Sequence, residues 1–531
     1  MPEIRQNRTG EKRLLAVLTG LLLTGLFPPA HFSWVAWAAL VPLFICLKNT
    51  APLQALKLGL LGGMAHYLSL MYWIIFVLDH YGNLGLLLSI GPYFLLSFYL
   101  SLFTALFCWG MVKITRCVSF PWFFVAGLWV ALEYLRAHFL SGFPWCLLGY
   151  TQYSHLQVIQ IADIAGVYGI SFLIVLSNGL VFSLLFRQTP KKKAFFRVQF
   201  LLGILLLSAA VSYGFYKTGS QETFDPQKNI TCAIIQPNID QSVKWDPAYQ
   251  TKSINTYRRL TLSVSSANPR LVVWPETAVP FFFQDPSDLT EDVRLLVQAM
   301  HTDLLFGSPA YRRKKRTYVY YNRAYLLGSD GRTSFYDKVH LVPFGEYVPL
   351  KRFLFFVDRL VAAAGDFEPG KNVCPLRNRN LTIGPLVCFE AIFPELARVQ
   401  VKKGAQILVN LTNDAWFGFS SAPYQHLAMS VLRAVENRRP LIRAANTGIS
   451  AFISPSGKIE ERSPLFVEAT MIREVHPVSS HFSFYTRFGD VFALLFCAVS
   501  MMILLWCWTR TTGRDNKNTQ AHLKNTHKAL E

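Results

Sequence analysis

Long apolar runs broken only by short polar stretches fill residues 1–217, and one more run lies near the C-terminus. They cover 13–30, 32–47, 55–78, 84–112, 119–138, 164–187, 196–217 and 488–508. An α-helix needs about 20 apolar residues to cross a bilayer. The pattern predicts a membrane protein with a bundle of about eight transmembrane α-helices, seven in residues 1–217 and the eighth at 488–508. Arg5, Arg8, Lys12 and Arg13 precede the first run, as basic residues do in a secretion signal. The immediate second run argues instead for a retained helix.

Residues 218–487 follow another rhythm. Short apolar runs end in polar clusters at Ile230–Ile235, Leu271–Trp274, Leu304–Phe306, Tyr318–Leu327, Leu381–Cys388 and Ile407–Leu411. Stretches of helical character lie between them, near 248–266, 287–301, 392–403 and 422–437. Such alternation predicts an α/β domain of stacked sheet and helix layers. The polar tail 509–531 offers little to bury and is expected to stay unstructured.

Composition supports lipid as the solvent. Of 531 residues, 52% are hydrophobic and only 16% charged, against about 25% charged in soluble domains. The net charge of +20 comes largely from basic residues beside apolar runs. These are Lys48 and Lys57, then Lys113 and Arg116, then Arg187, Lys191, Lys192, Lys193 and Arg197, and finally Arg510, Arg514, Lys517, Lys524 and Lys528. The intervening loops, around His31 and at 79–83 and 139–163, hold no Lys or Arg. The positive-inside rule then places both termini in the cytoplasm and residues 218–487 on the opposite side. No nucleic-acid-binding module is visible, so the basic charge is read as topology and contact with anionic lipid.

Glu133 and Arg136 stand three residues apart in the fifth run and read as a structural pair on one helix face. Of nine cysteines, Cys46, Cys108, Cys117, Cys497 and Cys507 fall in or beside spans, and Cys146 falls in a loop. Cys232, Cys374 and Cys388 lie in 218–487 at spacings that form no zinc pattern, so no metal site is expected. A Cys232–Cys374 disulfide stays open.

Three strand ends in 218–487 carry candidate chemistry. The run from Leu271 stops at Glu276, the stretch Tyr336–Pro349 sets Lys338 and Glu346 around a turn, and the run from Leu386 ends at Cys388 just before a helix. A strand–turn–helix junction lifts a nucleophile out of a sheet and aims free N–H groups at a nearby oxyanion. A thiol with pKa about 8.5 is only a few per cent thiolate at neutral pH. A carboxylate within reach can take its proton during attack. A lysine ammonium can hold the oxyanion that follows, and losing one such donor costs about 3–4 kcal/mol. Glu, Lys and Cys together form a complete nucleophilic apparatus. Singly they mean little, since a strand-end cysteine is commonly a small buried hydrophobe and a lone lysine is commonly solvated.

Order and flanking text raise their weight. Trp274-Pro275-Glu276, the Lys338 block and Cys388-Phe389-Glu390 resemble the Glu–Lys–Cys pattern of the nitrilase superfamily. The stretches Asp337–Pro349, Asn413–Gly418 and Gln236–Asp246, with the Glu133/Arg136 helix and the eight runs, resemble its membrane-embedded branch, the apolipoprotein N-acyltransferases. The resemblance implies a four-layer αββα sandwich and acyl-enzyme chemistry without a cofactor. It implies Glu276 as general base, Lys338 as oxyanion stabiliser and Cys388 as nucleophile. Glu346, Glu390, Trp245 and Phe389 match supporting positions, and position 389 is Tyr in some members. His340 reads as structural. The resemblance further implies a phospholipid acyl donor, a diacylglyceryl-modified apolipoprotein as acceptor, a monomer, and a bacterial inner membrane with residues 218–487 in the periplasm.

Two aromatic segments admit two readings each. Phe281, Phe282 and Phe283 follow Glu276, and Phe355 and Phe356 follow Glu346. They are either buried core or an apolar lip touching acyl chains. Two rival functions stand beside acyl transfer to an amine: a membrane-tethered amidase that passes the acyl group to water, and a transporter or scaffold that has lost catalysis. The intact triad argues against the second.

Overall fold

The structure is a computed structural model that describes residues 2–82, 84–186, 193–219, 229–348, 367–378, 381–479 and 481–528. Phe355 and Phe356 lie outside the described residues.

Among the described residues, five helices, Leu86–Cys117, Pro121–Ser141, Ala162–Leu185, Arg197–Gly219 and Val491–Arg510, are long and apolar enough to cross a membrane. A sixth crossing is formed if Pro52–Leu70 and Trp73–Tyr81, bent by 50°, count as one. Helix Pro2–Gly25 packs against Pro52–Leu70. Two expectations change here. The run 32–47 is not one helix but a 3₁₀ turn at Ser33–Trp37 followed by Val41–Leu47. The break is held by Asn178, whose side chain accepts from the Leu40 N–H at 2.7 Å and donates to the Ala36 carbonyl at 2.8 Å. The broken run still carries the chain back across the bundle, from His31 beside Thr151 of the loop 139–163 to Thr50, whose hydroxyl accepts from Lys12 at the start of the first apolar run at 2.5 Å. The last helix runs on to Lys528, where an unstructured tail was expected, because no proline interrupts residues 509–528.

Glu133 and Arg136 form no ion pair with each other. Glu133 accepts from the Leu148 N–H at 2.7 Å, and Arg136 donates to the Tyr67 hydroxyl. Each charge ties its helix to a different neighbour, and both line a small cavity of about 40 Å³ between helices.

Among the described residues, twelve strands build the α/β part. They are β1 (Ile230–Gln236), β2 (Leu271–Val273), β3 (Asp303–Lys314), β4 (Thr317–Leu327), β5 (Thr333–Asp337), β6 (Leu376–Asn378), β7 (Leu381–Val387), β8 (Ile407–Thr412), β9 (Leu441–Ala445), β10 (Ala451–Ile453), β11 (Ile459–Arg462) and β12 (Ala469–Val475). They form two six-stranded sheets, in the orders β12-β1-β2-β3-β4-β5 and β11-β10-β9-β8-β7-β6. The period-2 geometry of a strand explains the layering. Ile230, Cys232, Ile234, Leu271 and Val273 face Ile383, Val387, Ile407, Val409 and Leu411 in one core between the sheets. The intervening Ala233, Ile235, Val272 and Trp274 point outward against helices Pro247–Ser263 and Asp288–Ala299. On the second sheet Leu386 and Leu408 point outward against helices Pro394–Lys402 and Ala422–Asn437. The result is the four-layer αββα sandwich. Cys232 and Cys374 are both free thiols, so the open disulfide is absent.

Helix Ala422–Asn437 belongs to both halves of the molecule. All its residues but Tyr424 are buried, and its apolar side chains share one cluster with the helix bundle. Buried polar contacts fix the joint. Arg433 pairs with Glu436 at 2.7 Å and donates to the Tyr150 hydroxyl at 3.0 Å. Glu436 accepts from the Val167 N–H at 3.2 Å, and Arg438 pairs with Asp163 at 2.7 Å.

Candidate active site

The C-terminal ends of β2, β5 and β7 bring Glu276, Lys338 and Cys388 to one place between the sheets. Glu276 follows β2 through Trp274 and Pro275. The next residue, Thr277, adopts φ +47° and lies against Gly307 of β3. A Cβ on Gly307 would stand 2.8 Å from the Glu276 Cα, so only glycine lets the two chains approach this closely.

Lys338 is buried between two carboxylates. Its ammonium is 3.6 Å from Glu276 and 2.9 Å from Glu346. Asn322, in the middle of β4, donates to Glu276 at 2.7 Å and to Glu346 at 2.8 Å. Glu346 also accepts from the Val342 N–H at 2.8 Å. Glu346 is thus fixed by protein donors, and Glu276 is the carboxylate whose charge is felt at the thiol. Burial raises the carboxyl pKa of Glu276, and Lys338 opposes the rise. Lys338 itself is held charged: burial pulls its pKa down, but Glu346 and Glu276 outweigh burial and raise it.

Cys388 opens a short 3₁₀ turn, Cys388–Ile392, with φ +49°. A left-handed backbone costs an ordinary residue about 1–2 kcal/mol, so the surroundings must impose it. They do so through the Cys388 carbonyl, which accepts from His426 at 3.1 Å and from Asn410 at 3.3 Å. Burial pushes the thiol pKa up to about 12; the Glu276 charge adds to that rise, and Lys338 and the Thr412 hydroxyl oppose it. The resting sulfur is a thiol.

Glu390 joins the nucleophile turn to the lysine segment. One oxygen accepts from the Tyr336 hydroxyl at 2.8 Å and from the N–H groups of Val339 and His340 at 2.7 and 3.2 Å. The other accepts from the Val387 N–H at 2.8 Å. With four donors and no exposure it is a positioning group. His340 stacks on Phe393 at 3.7 Å, and burial, helped by Lys338, pushes its pKa down to about 4. Phe389 lies 6.5 Å from Phe143 of the bundle and 5.2 Å from Phe393, an apolar setting that phenylalanine fills. Trp245 is 42% exposed. Phe283 is core at 1% exposure, which removes it as a lip residue, whereas Phe281 and Phe282 are half-buried.

Sequence reasoning misses several groups. Lys244 is 2% exposed and donates to the Glu276 carbonyl at 3.1 Å. Burial lowers its pKa to about 8 against the pull of Glu276 and Cys388. Asn322 carries no signal in a strand of mixed polarity. Asp414, His426 and Arg443 form a buried cluster behind Cys388, with Arg443 to Asp414 at 2.6 Å and Asp414 to His426 at 3.2 Å. Distance in sequence hides that cluster. Among the described residues no group of His, Cys, Asp and Glu could hold a metal ion.

Comparison with known proteins follows the two halves. Residues 19–180 match the apolipoprotein N-acyltransferase N-terminal domain, and residues 231–480 match the carbon-nitrogen hydrolase family. Over 90% of the chain, the sequence is 45% identical to an apolipoprotein N-acyltransferase from Geobacter metallireducens, covering 92% of that protein. The chain belongs to the apolipoprotein N-acyltransferase family. A second apolipoprotein N-acyltransferase, from Azotobacter vinelandii, is 35% identical over 88% of the chain and 89% of its own length. Among solved structures, a carbon-nitrogen hydrolase from Helicobacter pylori G27 is similar over 47% of this chain and 89% of its own, at 20% identity and TM-score 0.36. The apolipoprotein N-acyltransferase family accounts for an acyltransferase that joins a nitrilase-type sandwich to apolar helices.

Proposed function

We propose that this acyltransferase N-acylates the α-amino group of the diacylglyceryl-cysteine of apolipoproteins, with a membrane phospholipid as donor and a thioester on Cys388 as intermediate. The observation that carries the reading is the meeting of a buried thiol, a buried ammonium and a carboxylate at the end of the sandwich that faces the bundle.

The steps follow from the geometry. Glu276 takes the Cys388 proton as sulfur attacks a phospholipid ester carbonyl. The tetrahedral oxyanion lies against the Lys338 ammonium, whose charge Glu346 keeps in place. The oxyanion collapses, the ester C–O bond breaks, and the lysophospholipid alcohol leaves with the proton from Glu276. The acceptor amine then attacks the thioester, Glu276 receives its proton, and the thiol re-forms as the amide departs. Replacing a thioester by an amide is downhill, so the transfer needs no nucleotide.

A site open to the bilayer suits this substrate. Each CH₂ taken from lipid into water costs about 0.8 kcal/mol, so an acyl chain of ordinary length resists extraction by roughly 10 kcal/mol. We place the enzyme in the bacterial inner membrane as a monomer, with eight apolar segments traversing or lining the bilayer, the sandwich in the periplasm and both termini in the cytoplasm. The distribution of Lys and Arg supports this orientation.

Mass spectrometry of the full chain incubated with phospholipid tests the reading. Wild type is expected to gain one acyl mass that Cys388→Ala does not gain and that a diacylglyceryl lipopeptide then removes on its amine. Folded protein that gives neither adduct nor modified peptide overturns acyl transfer. Free fatty acid as the main product, with the amine present, assigns the site to hydrolysis.

A further inference from the structure

Lys244 is a second buried ammonium beside the triad, and the acyl-transfer steps do not use it. Its charge is felt by Glu276 and by Cys388. Lys338 is committed, standing 3.6 Å from Glu276 and 2.9 Å from Glu346. Lys244 is not. An ammonium has three donors, and among the described residues that of Lys244 makes one hydrogen bond, to the Glu276 carbonyl at 3.1 Å. Burying a charged donor without acceptors is costly. A cation held in that way beside a nucleophile suits an anionic group that arrives with the substrate.

The loop that carries it is fixed from below. The Asn446 side chain donates to the Ile239 carbonyl at 2.8 Å and accepts from the Ile239 N–H at 3.0 Å. Asn413 donates to Gln241 at 2.6 Å. Asp240 accepts from both the N–H and the hydroxyl of Ser242 at 2.8 Å. Lys244 is thereby tied to the residues that follow β8 and β9.

The same loop meets the bundle where two apolar helices turn. Asp240 interacts with the charge of His80 and raises the pKa of the Tyr81 hydroxyl. Tyr81 ends the bent pair that begins at Pro52, and the next long apolar helix starts at Leu86. A turn between two such helices lies at the level of lipid headgroups. The turn residues 79–83 include no Lys or Arg, so a phosphate at this level near the triad must find its cation on the sandwich. Arg443 is taken by Asp414, and Lys338 by its two carboxylates, which leaves Lys244.

The ligand follows from the chemistry of the donor. In a phospholipid the glycerol unit keeps the phosphate within a few bonds of the ester carbonyls. An ester carbonyl brought to Cys388 therefore brings a phosphate with it, and charge-assisted bonds from an ammonium to phosphate are among the strong ones. The diacylglyceryl-cysteine end of the acceptor has no phosphate. We propose that the Lys244 ammonium binds the phosphate of the phospholipid donor while Cys388 is acylated, and so forms a donor-selecting subsite.

The inference rests on the acyl-transfer reading, and its test separates the two. The full chain in detergent micelles is given a phospholipid or the diacylglycerol with the same acyl chains, at equal mole fraction, and acylation of Cys388 is followed by mass spectrometry. Wild type should acylate about 10- to 100-fold faster from the phospholipid, the range for one hydrogen bond to a charged group. Lys244→Met should erase most of that preference, and Lys244→Gln gives the same comparison should the methionine variant not fold. Wild type that uses both donors equally overturns the proposal without any variant. So does a variant that slows both donors alike, because the preference then survives and Lys244 acts on the triad instead. No adduct from either donor in wild type sinks the acyl-transfer reading, and the phosphate contact with it.

Discussion

At Cys388, burial and the Glu276 charge push one way and Lys338 pushes the other, with the net result a thiol whose pKa is raised to about 12. The signs give a direct test in resting enzyme. Glu276→Gln removes a charge that opposes the thiolate, so a neutral alkylating reagent should modify Cys388 faster than in wild type at pH 8. Lys338→Met removes a charge that favours the thiolate and should slow the same reaction, although both variants lose acyl transfer. Slower alkylation in Glu276→Gln shows instead that the carboxylate already draws the proton in the resting state. Asn322→Ala removes one donor from each of two buried carboxylates. Hydrogen bonds to charged groups contribute about 1.5–3 kcal/mol, so acyl-enzyme formation should slow roughly 10- to 100-fold with the fold retained. An unchanged rate removes Asn322 from the site. The triad was legible because each member ends an apolar run or a turn. Asn322 and Lys244 were not, because their value lies in which distant atoms they reach.

Among the elements, helix Ala422–Asn437 carries the most consequence. Its limits are written in the sequence, with Pro423 in the first turn and an apolar spacing that ends at Asn437. Its burial on every side was not, since periodicity reports one face and here sheet and bundle take both. Arg433→Met leaves Glu436 buried without its partner, and breaking such a pair costs about 3–5 kcal/mol. Thermal unfolding should show that loss, and the double variant with Glu436→Gln should recover part of it. Burial raises the Glu436 pKa to about 7 against the opposing pull of Arg433. A raised carboxyl pKa stabilises the fold below the unfolded value and loses that contribution as pH climbs through about 7, so wild type should be less stable at pH 8 than at pH 6 on this account. Strands β10 and β11 are only three and four residues long, β9 carries Arg443 at its centre, and β12 mixes Arg473 and Glu474 into its run, so none shows as an apolar run in the sequence. The run 32–47 is broken where its composition predicts one helix, because a distant asparagine takes the Leu40 N–H and the Ala36 carbonyl.

At the scale of the whole molecule, the change of rhythm at residues 217–218 and 487–488 suggests two parts, but nothing in the sequence shows how they join. Orientation in the bilayer is open to labelling. With an impermeant thiol reagent, Lys252→Cys should react in intact spheroplasts, and Lys57→Cys only after the membrane is breached. The reverse pattern inverts the proposed topology.

The shared helix also bears on how the molecule is made. Residues 2–219 leave the ribosome before any strand, so the surface that covers Ala422–Asn437 exists first, and only within the bilayer. A fragment spanning 229–479 would present that apolar face to water and is expected to aggregate rather than to yield a soluble sandwich. Since His426 of the same helix holds the Cys388 carbonyl, the nucleophile turn takes shape only as the second sheet settles on helices already inserted. The order of synthesis thereby ties completion of the thiol site to helices that are already in place.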